Sequence, residues 1–306
     1  MSSLTLGVLT FNDGPNLQSL LNSIVNQSVK DFKLLIINNG RGRDESQIIE
    51  KFLGDNIKIE TTSISNVKNF GSFYGLRQLL FHATTSHLAV IHGDDLLKSN
   101  YVEVAQKSIL NNPDICAFNF DLLEFQEFDF KITGKIICSS WTPFNSLNRS
   151  LVAGLNPGVM PGSILNLNIL GQNYLNQYSN ENLLNGAEDI VLWQSIIRNS
   201  YRMKRIPVAT YYYRRHNGQI SKNYDLFGFS LGYARRLNFE TSRSKFEKLL
   251  CVSEINHEFE SINANTSYLL GIGYLTSYRY FHVLRFINIF IRRYCKFVNK
   301  IYHFQT

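Results

Sequence analysis

Leu88-Ala89-Val90-Ile91-His92-Gly93-Asp94-Asp95 decides how this chain is read. Four residues with strand character run directly into two adjacent carboxylates. A strand that ends on paired acids holds hard oxygen donors on a rigid edge, which suits Mg²⁺ or Mn²⁺ carrying phosphate oxygens. The same two acids would also serve as the cap of a helix starting near Ser99. The neighbouring segments decide between these readings.

Working upstream, Leu4 to Thr10 branches and alternates like a buried strand and stops at Phe11-Asn-Asp-Gly-Pro15. Pro15 suits a first helical turn, with Asp13 or Gly14 as its cap, and Leu17, Leu20, Leu21, Ile24 and Val25 form one apolar face. Phe32 to Ile37 is a second apolar strand ending in Asn38-Asn-Gly40. A short helix over Asp44 to Leu53, a strand over Ile57 to Glu60, a helix over Asn69 to Ala83 and the strand at His87 to Ile91 follow. Unbroken apolar strands alternating with helices predict a mainly parallel sheet covered on both faces. Ligands bind such sheets beyond the carboxyl ends of the strands. Thr10-Phe-Asn12, Asn38-Asn-Gly40 and His92-Gly-Asp-Asp95 would gather there.

Downstream, the pattern predicts a helix from Asn100 to Leu110 and paired strands over Ile115 to Phe125 and Lys131 to Ile137. A loop over Gly154 to Gly162, a helix over Ile190 to Arg198 and a strand over Val208 to Tyr213 complete this part. Beyond Asp225 the pattern turns helical. The expected organisation is therefore a catalytic-type domain over 1–224 and a basic, mainly helical extension over 225–306.

The 306 residues suffice for a sizeable core. The start has no basic segment before its short apolar run, so no signal peptide is expected, and no window reaches the length of a spanning helix. Cys116, Cys138, Cys251 and Cys295 are scattered without metal-ligand spacing, consistent with reduced thiols and a cytoplasmic location. Residues 1–224 carry 20 Lys and Arg against 18 Asp and Glu, whereas residues 261–306 carry six basic residues and no acid.

The ordered segments resemble the family 2 glycosyltransferases, enzymes of the GT-A fold that take a sugar from a nucleotide donor, over about residues 4–222. The resemblance rests on Thr10-Phe-Asn12 with Ser23-Ile-Val-Asn-Gln27; on Asn38-Asn-Gly40; and on Asn69-Phe-Gly71 with Arg77 and Ala83, running into His92-Gly-Asp-Asp95. Glu188-Asp189 opening a helix with Trp193, and Tyr213-Arg-Arg-His216 with Ser221, complete it. It implies a Rossmann-like, mainly parallel sheet flanked by helices. It also implies an inverting, metal-dependent hexosyltransferase-type enzyme of bacterial surface-polysaccharide or lipopolysaccharide synthesis. A single sugar would pass to a glycan or lipid-linked acceptor.

A diphosphate leaving group needs a cation, Mn²⁺ or Mg²⁺, to neutralise developing charge. By resemblance Asp95 binds the metal, Asp94 holds the ribose or supports the metal, and His216 is a metal or phosphate ligand. Asp189 matches the base that activates the acceptor hydroxyl, assisted by Glu188. Arg214 and Arg215 match a loop that covers the diphosphate. Thr10, Phe11, Asn12, Asn38, Asn39, Asn69, Arg77 and Gly93 fall to donor binding, with a UDP-sugar as the first expectation. On composition alone, Glu188-Asp189 is equally the acidic first turn of a helix, Arg214-Arg215 a solvated edge, and Asn69 with Gly71 a turn; Trp193 reads as core.

Two positions depart from the family pattern. Asn38 or Asn39 stands where many relatives carry an Asp that reads uracil, and His92 replaces the first acid of Asp-x-Asp-Asp. Asn still offers both donor and acceptor to a base edge. No Gln-x-x-Arg-Trp segment of processive synthases is present, which favours single-sugar transfer. From Tyr280 to Tyr302 apolar residues recur at threes and fours between Arg285, Arg292, Arg293, Lys296 and Lys300. That pattern reads as a basic helix on the anionic inner face of a cell membrane, or as a helix packed in an interface, including that of a homo-oligomer. Nucleic acid is not an expected partner. Two rivals remain: a non-catalytic scaffold that keeps the fold and binds nucleotide sugars, and a nucleotidyltransferase. The second lacks its Gly-rich phosphate loop.

Overall fold

Leu4, Leu6 and Val8 point to one face of the first strand and are fully buried against Leu17, Leu20, Leu21 and Ile24 of the helix that follows. Each such side chain contributes about 1.5–3 kcal/mol by leaving water, and this repeated unit builds the sheet. A computed structural model describes residues 2–40, 43–55, 58–126, 132–137, 160–178, 184–216 and 224–241. The order is β1 (Leu4–Thr10), α1 (Pro15–Val25), β2 (Lys33–Asn38), α2 (Arg43–Asp55), β3 (Thr61–Ser65), α3 (Ser72–His82) and β4 (His87–His92). Then come β5 (Leu96–Leu97), α4 (Tyr101–Asn111), β6 (Ala117–Gln126), β7 (Ile132–Ile137), β8 (Ile164–Asn166), α5 (Leu167–Leu170), a 3-10 turn (Tyr174–Gln177), α6 (Glu188–Arg198), β9 (Met203–Arg215) and α7 (Tyr224–Thr241).

The strands form one sheet in the order β3-β2-β1-β4-β8-β6-β9-β5, with β7 on β6. β1 runs parallel to β2, with Thr10 opposite Asn38, and parallel to β4, with Leu9 opposite His92. The expected parallel, doubly covered sheet is this quartet of β3, β2, β1 and β4. Beyond β4 the described ladders are antiparallel. Because β1 leads to β2 on one side and has β4 on the other, the topological switch point lies between the ends of β1 and β4. On the face opposite α1, α3 approaches so closely that a Cβ on Gly75 would lie 2.3 Å from Leu9 Cδ1, so any side chain there would force Leu9 to move.

The chain divides into two units. The first comprises residues 1–139, 159–182 and 204–216 and holds the sheet; the second comprises 140–158, 183–203 and 217–306 and holds α6 and α7. Trp193 on α6 is fully buried, as core.

The third strand is displaced from its expected position, Ile57 to Glu60, to Thr61–Ser65. An edge strand half open to solvent does not need an apolar run, so Thr-Thr-Ser-Ile-Ser leaves little hydrophobic signal. β9 is longer than expected and carries Arg214 and Arg215 inside the strand. Its first half, Lys204 to Ala209, mixes charged and apolar residues that are exposed or half-buried, and Arg205 there makes a two-pronged contact with Asp121 of β6, at 2.7 and 2.8 Å. Most of the Gly154–Gly162 loop, Ser221 and the basic segment 280–306 lie outside the described residues.

Candidate active site

The carboxyl ends of β1 and β4, joined by the end of β9, bring Thr10, Phe11, Gly93, Asp94, Asp95, Arg214 and His216 to one edge. β4 stops at His92, and the turn that follows presents Asp94 and Asp95 to opposite fates. Asp95 is fully buried. Its Oδ2 accepts the Tyr211 hydroxyl at 2.8 Å and its Oδ1 accepts the Arg214 backbone N–H at 2.8 Å. Burial, reinforced by the charge of Asp94, pushes its carboxyl well above the usual range despite those two bonds. Asp94 stays partly open, and His216 Nε2 donates to its Oδ2 at 2.9 Å. Burial works to raise Asp94 too, but the His216 hydrogen bond and the nearby His92 and His216 imidazoles outweigh it, and its carboxyl lies below the usual range.

Ligand atoms of His92, Asp94 and Asp95 lie within 4.8 Å of one another, forming a cluster able to hold a cation. A carboxylate with an imidazole suits Mn²⁺, and the hard oxygen also suits Mg²⁺. The donor set fits such an ion. Burial holds His92 below its ordinary value, in the neutral form a ligand needs.

Arg214 is only 2% exposed. Its guanidinium donates to the Asp94 carbonyl and lies 4.7 Å over the Phe125 ring. It therefore braces the Asp94–Asp95 turn from behind. Arg215 pairs with Glu124 at 2.8 Å and covers Tyr213.

On the β2 side, the two asparagines differ. Asn39 is fully used: its Nδ2 donates to Asn69 Oδ1 and the Gly71 carbonyl, and its Oδ1 accepts from Asn66 Nδ2 and Phe70 N–H. Asn69 closes the same loop by accepting the Gly71 N–H at 2.7 Å. Asn38 is fully buried, and neither atom of its side-chain amide has a partner among the described residues. Phe11 is 49% exposed and rests over Gly40, where a Cβ would come within 2.9 Å of its ring. Asn12 beside it is exposed and takes a positive φ of 59°, a conformation asparagine tolerates. Arg77 on α3 reaches Asn176 on the 3-10 turn at 3.1 Å.

Three residues gain importance that their sequence context did not signal. Asp13, read as a cap, accepts Thr10 Oγ1–H at 2.8 Å and Phe11 N–H at 3.1 Å, and burial with the charge of Asp94 lifts its carboxyl to about 7. Glu45, hidden among the acids that open α2, is buried; its Oε1 accepts Asp13 N–H at 2.7 Å and lies 3.1 Å from the Thr10 hydroxyl. Tyr211 joins Asp95 to β4 by accepting the His92 backbone N–H at 3.1 Å. In the second unit, Glu188 and Asp189 occupy the first turn of α6, and Asp189 Oδ1 accepts the Ile190 N–H at 2.7 Å.

The family model described as glycosyl transferase family 2 matches residues 5–164. The chain belongs to glycosyl transferase family 2. Among solved structures, this family 2 protein is similar to S. aureus TarS (residues 1–349, in complex with UDP-GlcNAc), at TM-score 0.63 and 18% identity, covering 85% of this chain and 73% of that one. It is also similar to the mannosyltransferase PcManGT from Pyrobaculum calidifontis, in complex with GDP-Man and Mn²⁺, at TM-score 0.56 and 13% identity, covering 94% and 84%. At these identities the likeness is one of fold, and it agrees with the GT-A architecture. No curated protein matches the chain. Like its family, the chain is a glycosyltransferase. Among the described residues no helix is long and apolar enough to cross a membrane.

Proposed function

We propose that this glycosyltransferase moves a single sugar from a nucleotide-diphosphate donor to a hydroxyl of a glycan or lipid-linked acceptor, in cell-surface polysaccharide synthesis, with inversion and with a divalent cation. The observation that carries the reading is the Asp94–His216 pair at the end of β4, an acid kept anionic on the switch-point edge. Structural neighbours bound to UDP-GlcNAc, or to GDP-Man with Mn²⁺, support the donor class. His92, Asp94 and Asp95 would offer the ligand atoms to Mn²⁺ or Mg²⁺, with His216 holding the Asp94 carboxylate; Asp94 is the more open acid, since Asp95 also carries the bonds to Tyr211 and Arg214. A bound cation would neutralise the charge that develops on the departing diphosphate.

The chain's own residues supply the rest. Arg214 fixes the turn that carries Asp94, so the acid needs no reorganisation. The exposed Phe11 ring offers a stacking surface for a nucleobase, and Asn38 has an unspent donor and acceptor for its edge. Asn39 has none, so a UDP-sugar is read, if anywhere on β2, by Asn38. Asp189, with Glu188, takes the acceptor proton on the strength of the resemblance. The division into a catalytic part, 1–224, and an extension, 225–306, whose segment 280–306 rests on anionic membrane, belongs to the same proposal.

The test is slow hydrolysis of UDP-GlcNAc and GDP-Man by the full chain with Mn²⁺. Turnover should need the metal and fall by about 10²–10³-fold in Asp94→Ala, the range for removing one preorganised charge-stabilising group. Neither turnover nor nucleotide-dependent thermal stabilisation would overturn the reading in favour of a non-catalytic fold.

A further inference from the structure

The turn that carries the cation cluster is bridged by one side-chain atom from another strand. His92 and Asp95 are its first and last residues. They are closed by a backbone bond from Asp95 N–H to the His92 carbonyl that measures 3.3 Å, just beyond the usual range. The Tyr211 hydroxyl spans the same two residues. It accepts the His92 backbone N–H at 3.1 Å and donates to Asp95 Oδ2 at 2.8 Å. His92, Asp94 and Asp95 are the residues whose ligand atoms cluster, so this one hydroxyl touches two of them and brackets the third. Only a group that accepts and donates at once can form such a bridge, and a phenol holds it at the end of a rigid ring.

The ring has little freedom. Tyr211 is fully buried, and its backbone pairs with Leu97 of β5. On one side it lies so close to Gly162 that a Cβ there would fall 2.6 Å from the ring. Gly162 is tied to β4 in turn, its N–H donating to the Val90 carbonyl at 2.7 Å. On another side stands the Tyr101 ring, edge-on with centroids 6.5 Å apart.

The bridge leaves the ligand atoms usable. A carboxylate offers about four acceptor positions. Asp95 spends one on Tyr211 and one on the Arg214 N–H, a bond to each oxygen, so both oxygens are held in place with capacity to spare. Asp94, between the bridged residues, meets His216 at 2.9 Å. Without the hydroxyl the turn keeps its long backbone bond and the contacts of Arg214. The cluster then loses a preset geometry and no ligand.

We infer that Tyr211 is a positioning residue of the cation site, fixing the His92–Asp95 turn so that its side chains meet a divalent cation without rearranging. The inference rests on the cation reading above and extends that site to a residue of β9 that offers no ligand atom of its own.

Titration of Mn²⁺ alone into the full chain, followed by the electron paramagnetic resonance signal of the free ion, tests it. Tyr211→Phe removes only the hydroxyl and should weaken Mn²⁺ binding by about 10–100-fold, the range for removing a group that orients a metal ligand. Tyr101→Phe is the control. It also takes a hydroxyl from a fully buried ring, but that hydroxyl donates to the Gly162 carbonyl at 2.9 Å, outside the cluster. This variant should bind Mn²⁺ like the wild type. The spectrum of bound Mn²⁺ should broaden in Tyr211→Phe alone, as the ligands lose a single arrangement. Unfolded chain lowers the amplitude of such a titration and not its midpoint, so partial loss of fold does not imitate the effect. An undiminished affinity in Tyr211→Phe, or an equal loss in both variants, would overturn this inference and leave the cation reading intact. A wild type that binds no Mn²⁺ would overturn both.

Discussion

At the amino end of β1 and β4, Thr5 Oγ1 lies 2.8 Å from Thr85 Oγ1, Thr85 donates to the His87 carbonyl, and Ser86 donates to the Ser3 carbonyl while meeting His87 Nδ1 at 2.9 Å. At the carboxyl end of the same strands, Asp13, Glu45, Asp94 and Asp95 crowd together, two of the four have raised carboxyls, and Asn38 and Glu45 keep buried atoms without partners among the described residues. The strands are the same. One end spends its polar groups on itself; the other keeps them in reserve at a cost in stability. Buried polar atoms cost about 1–3 kcal/mol each when unsatisfied, and a chain tolerates that where a ligand supplies the partners.

The contrast predicts that burial alone does not make an acid costly. Asp121 is buried, as Glu45 and Asp95 are at the edge, yet it grips Arg205 through both oxygens. Removing it in Asp121→Ala strands a buried guanidinium and should destabilise by about 3–5 kcal/mol in denaturant unfolding. Replacing both partners with Met and Leu should recover most of that loss. If the single variant lost under about 1 kcal/mol, paired and unpaired acids would not differ as claimed.

Asp13 should behave in the opposite sense. Its folded value, about 7, lies above the unfolded 3.8. The unfolded chain therefore releases this proton first as pH rises, so the contribution to stability is full below about 4, declines between about 4 and 7, and levels off above. Asp13→Asn removes the titration while preserving shape. It should equal the wild type near pH 4 and exceed it at pH 8, with a ceiling of about 4 kcal/mol for three units. Urea midpoints at the two pH values measure this.

How far the sequence carried depended on what each residue had to signal. The parallel quartet was legible because buried strands must be apolar and their helices must show one apolar face; Leu4 to Thr10 and His87 to His92 lie where expected. β3 was displaced because an edge strand carries no such demand. At the site, Asp94, Asp95 and His216 were legible as residue types at strand ends, but the division of labour was not. Which acid turns inward depends on Tyr211 and Arg214 in β9, more than a hundred residues away along the chain, and a local pattern does not encode that contact. Glu45 was hidden for the same reason, since two acids opening a helix are explained by the dipole until one is found buried against Thr10 and Asp13 between β1 and α1.

The smallest effect concerns the satisfied end. His87 is held below its ordinary 6.5, chiefly by burial, against the pull of the Ser3 backbone. A lowered folded value means that the unfolded chain gains this proton first as pH falls. Stability is then intact above about 6.5 and declines below it, until the folded ring also protonates. The paired amino end is thus conditional on a neutral imidazole, and acid pH should make it resemble the strained end. His87→Gln keeps a partner for Ser86 without the titration, so its melting temperature should fall less than the wild type's between pH 7 and 5.5. The difference should stay near or below about 1 kcal/mol, because the span from pH 7 to 5.5 covers less than one unit of the unfolded ring's proton uptake. Parallel curves for the two proteins would mean that the amino end is indifferent to the charge on His87, and that its stability lies in the hydroxyl pairs alone.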